Sequence, residues 1–225
     1  KNNFIANVSH ELKTPITIVK GFAETLIDEN DHLDTATRFK FLTKIQVNTE
    51  RLNLLVQDLL TLSRIESEPE FIKKSRTEIG PLLQSLVENN QPLLKPGQSL
   101  ALHVENPSQM VNIDGFKISQ VFQNLLDNAI RHSGNDSEIT MDVRLHPSRE
   151  TLVCSVWDNG KGIPHEDLPN IFRRFYRVDK ARARASGGTG LGLSIASGIV
   201  ELHGGTISAS NRPEGGLSIT FTLPH

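Results

Sequence analysis

The chain has a single cysteine, Cys154, so no internal disulfide can form; this excludes a cystine-stapled fold and fits a reducing compartment. Cys154 lies inside the apolar run 152–156, where a free thiol buried on a strand is expected. Charge of one sign is also lacking. The formal net charge is −2 with both signs interspersed, so no basic field points toward nucleic acid or an anionic membrane. No run approaches the roughly 18–20 apolar residues of a membrane helix, and no secretory h-region is present. There is no internal repeat and no low-complexity segment.

What is present suits a globular protein of one large or two ordinary domains: 225 residues, 37% hydrophobic and 22% charged. The opening residues KNNFIANVSHEL are already in helical register with no capping residue before them, as in a chain cut within a helix, so upstream parts are expected to be missing. Phe4, Val8, Leu12, Val19, Phe22 and Leu26 share one helical face, spread over about a quarter turn. ENDHLD (29–34) is a polar connection. A second helix runs to about Glu66 with a seam at Leu42, Ile45, Thr49, Leu52, Val56, Leu59 and Ser63, the 3-4 alternation of a helical bundle. One hairpin hides little apolar surface, so a homodimer closing a four-helix bundle through residues 1–66 is expected.

The polar stretch 67–77, which contains Pro69, reads as a linker, and residues 78–225 form the second domain. EIGPLLQSLVENNQPLL is helical, with Pro81 in its first turn, and SLALHVE and MVNID are short strands. GFKISQVFQNLLDNAIRHS is a long amphipathic helix. SEITMDVRLH and TLVCSVWD are strands parted by the turn residues Pro147 and Ser148. GLGLSIASGIVELH is a helix, followed by the strands GTISAS and GLSITFTLP. The fold class is therefore an all-α hairpin followed by an α+β sandwich, with a mostly antiparallel sheet and helices on one face. RVDKARARASGGTG (177–190) has no apolar period and reads as a mobile loop.

SHELKTP (9–15) places His10 opposite the apolar stripe of the first helix, pointing outward with Thr14 and Thr17. This argues against a core histidine and leaves open whether the side chain is reactive or idle. Glu11 is positioned to accept a proton and hold one tautomer. Pro15 cannot donate to the Glu11 carbonyl, so a kink is expected there. In NLLDNA, Asn124 and Asn128 stand four residues apart on one face, with Arg131 and His132 one turn on. This is either a solvated face or a pair of amide oxygens for Mg²⁺ with an arginine for phosphate. DNGKGIP (158–164) ends a strand in Asp158 and spaces Gly160 and Gly162 as in a turn, or as in a surface that a flat ligand approaches closely. GGTGLGL (187–193) brings Gly187, Gly188, Gly190 and Gly192 to a helix start, an arrangement that offers backbone N–H groups to an anion. It is neither a Walker A loop nor a GxGxxG fingerprint.

Taken in order, these motifs resemble the cytoplasmic core of a bacterial two-component sensor histidine kinase with a Bergerat-type ATP-binding domain. SHELKTP resembles the H box, NLLDNAIRH the N box, DNGKGI and GGTGLGL the two glycine boxes, and FRRFYR (172–177) the F box. ANVSHELKTPIT followed by GFAETL is most like the phosphate-regulon class. The resemblance implies that His10 accepts the γ-phosphoryl group of ATP on a ring nitrogen, that Glu11 is the general base, and that Thr14 orients water when the partner regulator is dephosphorylated. It implies Asn128 as an Mg²⁺ ligand with Asn124 beside it on the ion or the phosphates, and Asp158 as acceptor from the adenine amino group. Gly160, Gly162 and Ile163 would line the base. Gly188, Thr189, Gly190, Leu191 and Gly192 would shape the phosphate end, with Arg131, His132, Tyr176 and Arg177 as further nucleotide contacts. The loop from about His165 to Thr189 would be the ATP lid.

Arg131 stands where lysine is common, and Lys13 and Ile16 replace the commoner arginine and leucine; none of these removes a catalytic group. The implied partners are a second copy of the chain and a response-regulator receiver domain, with no nucleic acid. Membrane attachment would come only through missing upstream segments of an anchored bacterial protein whose cytoplasmic portion this is. Two other functions are open to the same motifs. One is a Bergerat-fold ATPase using ATP as a conformational clamp, against which the H-box hairpin argues. The other is a noncatalytic dimerisation module, against which the intact His10, Asn128, Asp158 and glycines argue.

Overall fold

The computed structural model describes residues 2–29, 32–146, 151–178 and 188–224. Helices α1 (Asn2–Asp28) and α2 (Thr35–Ser67) form the expected hairpin. Asn30 and Asp31 of the connection lie outside the described residues, as do the turn residues Pro147 and Ser148. Asp34 starts α2 as its N-cap, with its carboxylate accepting from the Thr37 N–H at 2.9 Å and the Thr37 hydroxyl at 2.7 Å. Near the connection the Phe22 and Phe41 rings meet at 5.0 Å between centroids. Helix α1 runs through Pro15 as one helix.

The α2 seam differs from the sequence expectation. Phe41, Ile45, Asn48, Leu52, Leu55, Leu59 and Leu62 form a partly or fully buried line, with Arg51, Asp58 and Ile65 partly buried beside it, whereas Leu42 and Val56 are exposed. The expected and observed seams share Ile45, Leu52 and Leu59 and differ by one residue elsewhere. Helix α2 is apolar on both flanks of that line, and periodicity does not say which flank the chain itself covers. Leu55 and Leu62 join the apolar cluster that also holds the core of the second domain; full burial contributes about 1.5–3 kcal/mol apiece relative to exposure. Left exposed on the hairpin are Ile5, Ile16, Ile27, Phe39, Leu42, Val47, Leu54, Val56 and Leu60.

The second domain contains α3 (Ile79–Asn90), α4 (Gly115–His132) and α5 (Gly192–Leu202). Its strands are β1 (Ser75–Glu78), β2 (Ser99–Val104), β3 (Met110–Ile113), β4 (Glu138–His146), β5 (Thr151–Asp158), β6 (Ile207–Asn211) and β7 (Leu217–Pro224). The main sheet has the order β2-β4-β5-β7-β6, with β2 and β4 parallel and the other pairs antiparallel. Ile139, Met141 and Val143 of β4, Leu152, Cys154 and Val156 of β5, and Ile219, Phe221 and Leu223 of β7 alternate onto one buried face. Ile118, Val121, Phe122 and Leu125 of α4 are buried in the same core, and Phe122 meets Phe221 edge-on at 5.0 Å.

Part of the segment read as linker is structured. Phe71 is buried, with the Lys117 ammonium 3.7 Å from its ring centroid, and Ser75–Glu78 pairs antiparallel with β3. A polar composition hides such a strand because β1 presents little apolar surface of its own.

Two side chains of this core lead to solution predictions. Burial pushes the Cys154 thiol well above its ordinary range, so a thiol reagent at pH 8 is expected to leave it unlabelled in the folded protein and to label it once in denaturant. His203 is buried and bonded at both ring nitrogens: Nε2 accepts from the Asp114 N–H at 3.1 Å and Nδ1 donates to the Ile199 carbonyl at 2.8 Å. Only the neutral ring fits both bonds. Burial, and next to it the Lys74 charge, holds its pKa below the ordinary value against the opposing pull of the Ile199 carbonyl. The folded value lies below the unfolded one of about 6.5, so this contribution is complete above that pH and is lost as pH falls toward the folded value. Denaturant midpoints are expected to drop from pH 7.5 to 5.5, and by less in His203→Gln.

Candidate active site

On α1, His10 is exposed, with 62% of its side-chain surface open, as its position opposite the apolar stripe requires. Its Nδ1 stands 4.0 Å from Oε1 of Glu11. The other carboxylate oxygen, Oε2, accepts from Arg51 Nη2 of α2 at 3.2 Å and from Arg177 Nη2 of the F box at 3.1 Å. Thr14 Oγ1 donates to the His10 carbonyl at 3.2 Å. His10, Lys13, Thr14, Thr17 and Ile18 line one shallow groove along α1.

The second group of motifs converges where α4, β5 and α5 meet. Asp158, the last residue of β5, is buried, and its Oδ1 accepts from the Gly160 N–H at 2.8 Å. Burial raises its pKa, opposed by the Gly160 and Leu217 amides and the Arg212 charge. A buried carboxylate of this kind favours a ligand that brings an N–H donor. The glycines nearby are explained largely by the fold. A Cβ on Gly160 would stand 2.6 Å from the Ser133 carbonyl, and Gly162 has φ +66 with Asn211 Oδ1 2.6 Å from where its Cβ would be. Asn211 clamps Ile163 by accepting from its N–H at 3.0 Å and donating to its carbonyl.

On α4, Asn124 Nδ2 donates to the Gly192 carbonyl at 3.0 Å, so this amide ties the N box to the start of α5. Asn128 is half-buried one turn on. Arg131 reaches Gly188, where a Cβ would lie 2.5 Å from its Nη1. The His132 pKa is lowered, first by desolvation and then by the cations Arg131, Lys95 and Lys161, although much of its surface meets solvent. Three cations beside one imidazole form a local electropositive corner. Leu191 is fully buried, so only its backbone faces the site. The amides offer hard oxygen donors of the kind Mg²⁺ accepts, and no cluster of three His, Cys, Asp or Glu side chains capable of holding a metal occurs among the described residues. The set fits an ion carried by nucleotide phosphates rather than a protein cage.

Gly187 and the middle of the expected lid, 179–187, lie outside the described residues. The two ends of that segment are held together. Phe175, in the left-handed region at φ +61, donates its N–H to the Gly190 carbonyl at 2.8 Å, and Arg177 donates to the Gly188 carbonyl at 2.6 Å. Tyr176 donates its hydroxyl to Asp167, which directs that side chain within its own loop.

The same segment lies against the hairpin. Thr189 Oγ1 donates to Asp58 Oδ2 at 2.6 Å, Arg174 pairs with Glu66, and the Phe4 and Phe175 rings stand 5.8 Å apart. Burial raises the Asp58 pKa, opposed by the Thr189 hydrogen bond. Helix α5 comes so close to α2 that a Cβ on Gly198 would lie 2.8 Å from Ile65. The two groups of motifs, separate in sequence, are thus joined through Glu11–Arg177 and Asp58–Thr189. Arg51, Asp58, Asn211 and Arg212 belong to none of the sequence motifs. For Asn211 a signal existed in the Gly215–Gly216 turn nearby, where both residues have positive φ. For Arg51 and Asp58 there was none, because their partners are 40 and 131 residues away.

Residues 1–68 match the His Kinase A (phospho-acceptor) domain, and residues 113–225 match the family described as histidine kinase-, DNA gyrase B- and HSP90-like ATPase. The sensor histidine kinase WalK of Bacillus subtilis (strain 168) is 38% identical over 226 residues, covering 100% of this chain and 37% of WalK. This chain therefore spans little more than a third of that relative. The finer resemblance to phosphate-regulon sensors gains no support from this relative. Among solved structures, histidine kinase ThkA in complex with the response regulator protein TrrA superimposes with a TM-score of 0.78 at 26% identity, over 99% of this chain and 61% of that one. Full-length ShkA in complex with AMPPNP gives 0.72 at 25% identity, over 99% and 45%.

Proposed function

Because this chain belongs to the sensor histidine kinase family, we propose that it transfers the γ-phosphoryl group of ATP to His10 and then to an aspartate of a response regulator. The observation that carries this reading is the disposition of His10, exposed to solvent with Nδ1 turned to the Glu11 carboxylate. In the step, Nε2 attacks the γ-phosphorus, the bond to the bridging oxygen of ADP breaks, ADP leaves, and the Nδ1 proton passes to Glu11 Oε1. The 4.0 Å separation closes to a hydrogen bond with a small side-chain adjustment. Asp158 would hold the adenine amino group, Arg131 and the 188–192 backbone would face the phosphates, and Asn128 would hold Mg²⁺, which when bound neutralises phosphate charge. Asn124 acts by fixing the start of α5.

Arg177 and Thr189 are expected on the nucleotide during transfer. Here they bind Glu11 and Asp58, so the docked arrangement must loosen before phosphoryl transfer, and signal input would act on that equilibrium. The exposed apolar stripe of the hairpin supports a homodimer closing a four-helix bundle. The groove beside His10, which Thr14 also lines, would receive the regulator's receiver domain, and Thr14 would orient water when the regulator is dephosphorylated. Among the described residues no helix is long and apolar enough to cross a membrane, and any membrane anchor of the longer sensor lies in other segments.

The test is incubation with γ-labelled ATP and Mg²⁺. Label that is acid-labile and base-stable is expected on the chain. ATP turnover without label would indicate a conformational-clamp ATPase instead, and neither activity would indicate a noncatalytic module.

A further inference from the structure

We propose that Arg51 is a positioning residue that aims the Glu11 carboxylate at His10; this rests on the reading of Glu11 as the general base. Adjacent residues on a helix point about 100° apart, so Glu11 left to itself does not face the His10 ring. An outside restraint is needed, and the structure contains one. Arg51 and Arg177 both bind Oε2, at 3.2 and 3.1 Å, which leaves Oε1 as the oxygen nearer His10 Nδ1. The three side chains are well covered, with 16% of Glu11, 15% of Arg51 and 9% of Arg177 exposed. Water therefore competes weakly for the carboxylate.

The two arginines are not equivalent. Arg177 belongs to the F box, also donates to the Gly188 carbonyl, and moves with the nucleotide domain. Arg51 belongs to α2, in the same hairpin as Glu11, so its contact needs no residue of the nucleotide domain. When Arg177 leaves to meet ATP, Arg51 alone keeps Oε2 occupied and Oε1 directed at the ring. A guanidinium suits the task because its planar fork is pre-organised, whereas an ammonium holds a carboxylate with less angular definition.

The experiment compares initial autophosphorylation rates of the full 225-residue chain with those of Arg51→Met, Arg51→Lys, Glu11→Gln and the Arg51→Met/Glu11→Gln double variant. Methionine keeps the apolar stem, so the hairpin packing survives. Arg51→Met is expected to lower kcat about 10-fold with KM for ATP within about twofold, and Arg51→Lys to recover part of the rate. In the Glu11→Gln background Arg51→Met is expected to have less than about a twofold further effect, since it acts through the carboxylate. A full additive loss in that background would overturn the inference while leaving Glu11 as the base. A raised KM with unchanged kcat would also overturn it. Wild-type rates in Glu11→Gln would sink the base assignment and this inference together. If Arg51→Met does not fold, the decision rests on Arg51→Lys, whose loss must vanish in the Glu11→Gln background.

Discussion

His10→Ala is expected to abolish phosphoryl labelling, by more than about 100-fold, while ATP binding stays within about twofold of the parent. Position favours His10 over His132 and His203, the histidines at the ends of α4 and α5. His203 is committed at both ring nitrogens and buried, so it has no lone pair to offer. His132 lies at the end of α4 among Arg131, Lys95 and Lys161, on the nucleotide side of the molecule. His10 is exposed and has a carboxylate turned toward it from the next residue. Its exposure also makes the variant a clean one, since truncating a surface side chain changes stability by about 0.5 kcal/mol or less. Filter-bound label and fluorescent-nucleotide titration measure the two quantities separately. Label retained in His10→Ala would place the acceptor elsewhere and end the present assignment.

The second large effect is expected at the other end of the reaction. Asp158→Asn keeps the shape of the side chain and an oxygen able to accept from the Gly160 N–H, so the strand end should remain folded. It replaces a carboxylate acceptor with an amide. A hydrogen bond to a charged group contributes about 1.5–3 kcal/mol, so ATP affinity is expected to fall about 10- to 150-fold. Labelling at saturating ATP should recover toward the parent rate, because in the proposed reading Asp158 meets the base and not the reacting phosphorus. Isothermal titration gives the affinity, and the dependence of rate on ATP gives KM and kcat. Unchanged affinity would mean that the adenine end lies elsewhere in the domain, and a fall in kcat at unchanged KM would contradict the assignment equally.

Much of this was legible in the chain. Period-2 alternation in SEITMDVRLH and TLVCSVWD corresponds to β4 and β5, whose register sets Ile139 opposite Asp158 and Val143 opposite Cys154. The helical period in GFKISQVFQNLLDNAIRHS corresponds to α4, and its apolar side is the buried side. Outward placement of His10 followed from the helical wheel alone. Failures came where two patterns competed or where no pattern exists. In α2 two heptad lines overlap, and the chain covers the line through Leu55 and Leu62 while Leu42 and Val56 stay exposed. Strand β1 carries no alternation strong enough to separate it from a linker.

By itself the sequence determined the order of elements apart from β1, the buried faces of the main strands and of α4, and which side chains carry chemistry suited to phosphoryl transfer. These follow from local rules, since periodicity and residue type act within a few turns of chain. Only the tertiary structure decided which of those side chains meet. Arg51 and Arg177 converge on Glu11, Thr189 reaches Asp58, and Asn124 holds the start of α5. The partners in these contacts lie 40 to 166 residues apart. At such separations a hydrogen bond depends on how packed helices, and in two of these cases the two domains, sit together, and no local preference of the chain encodes that.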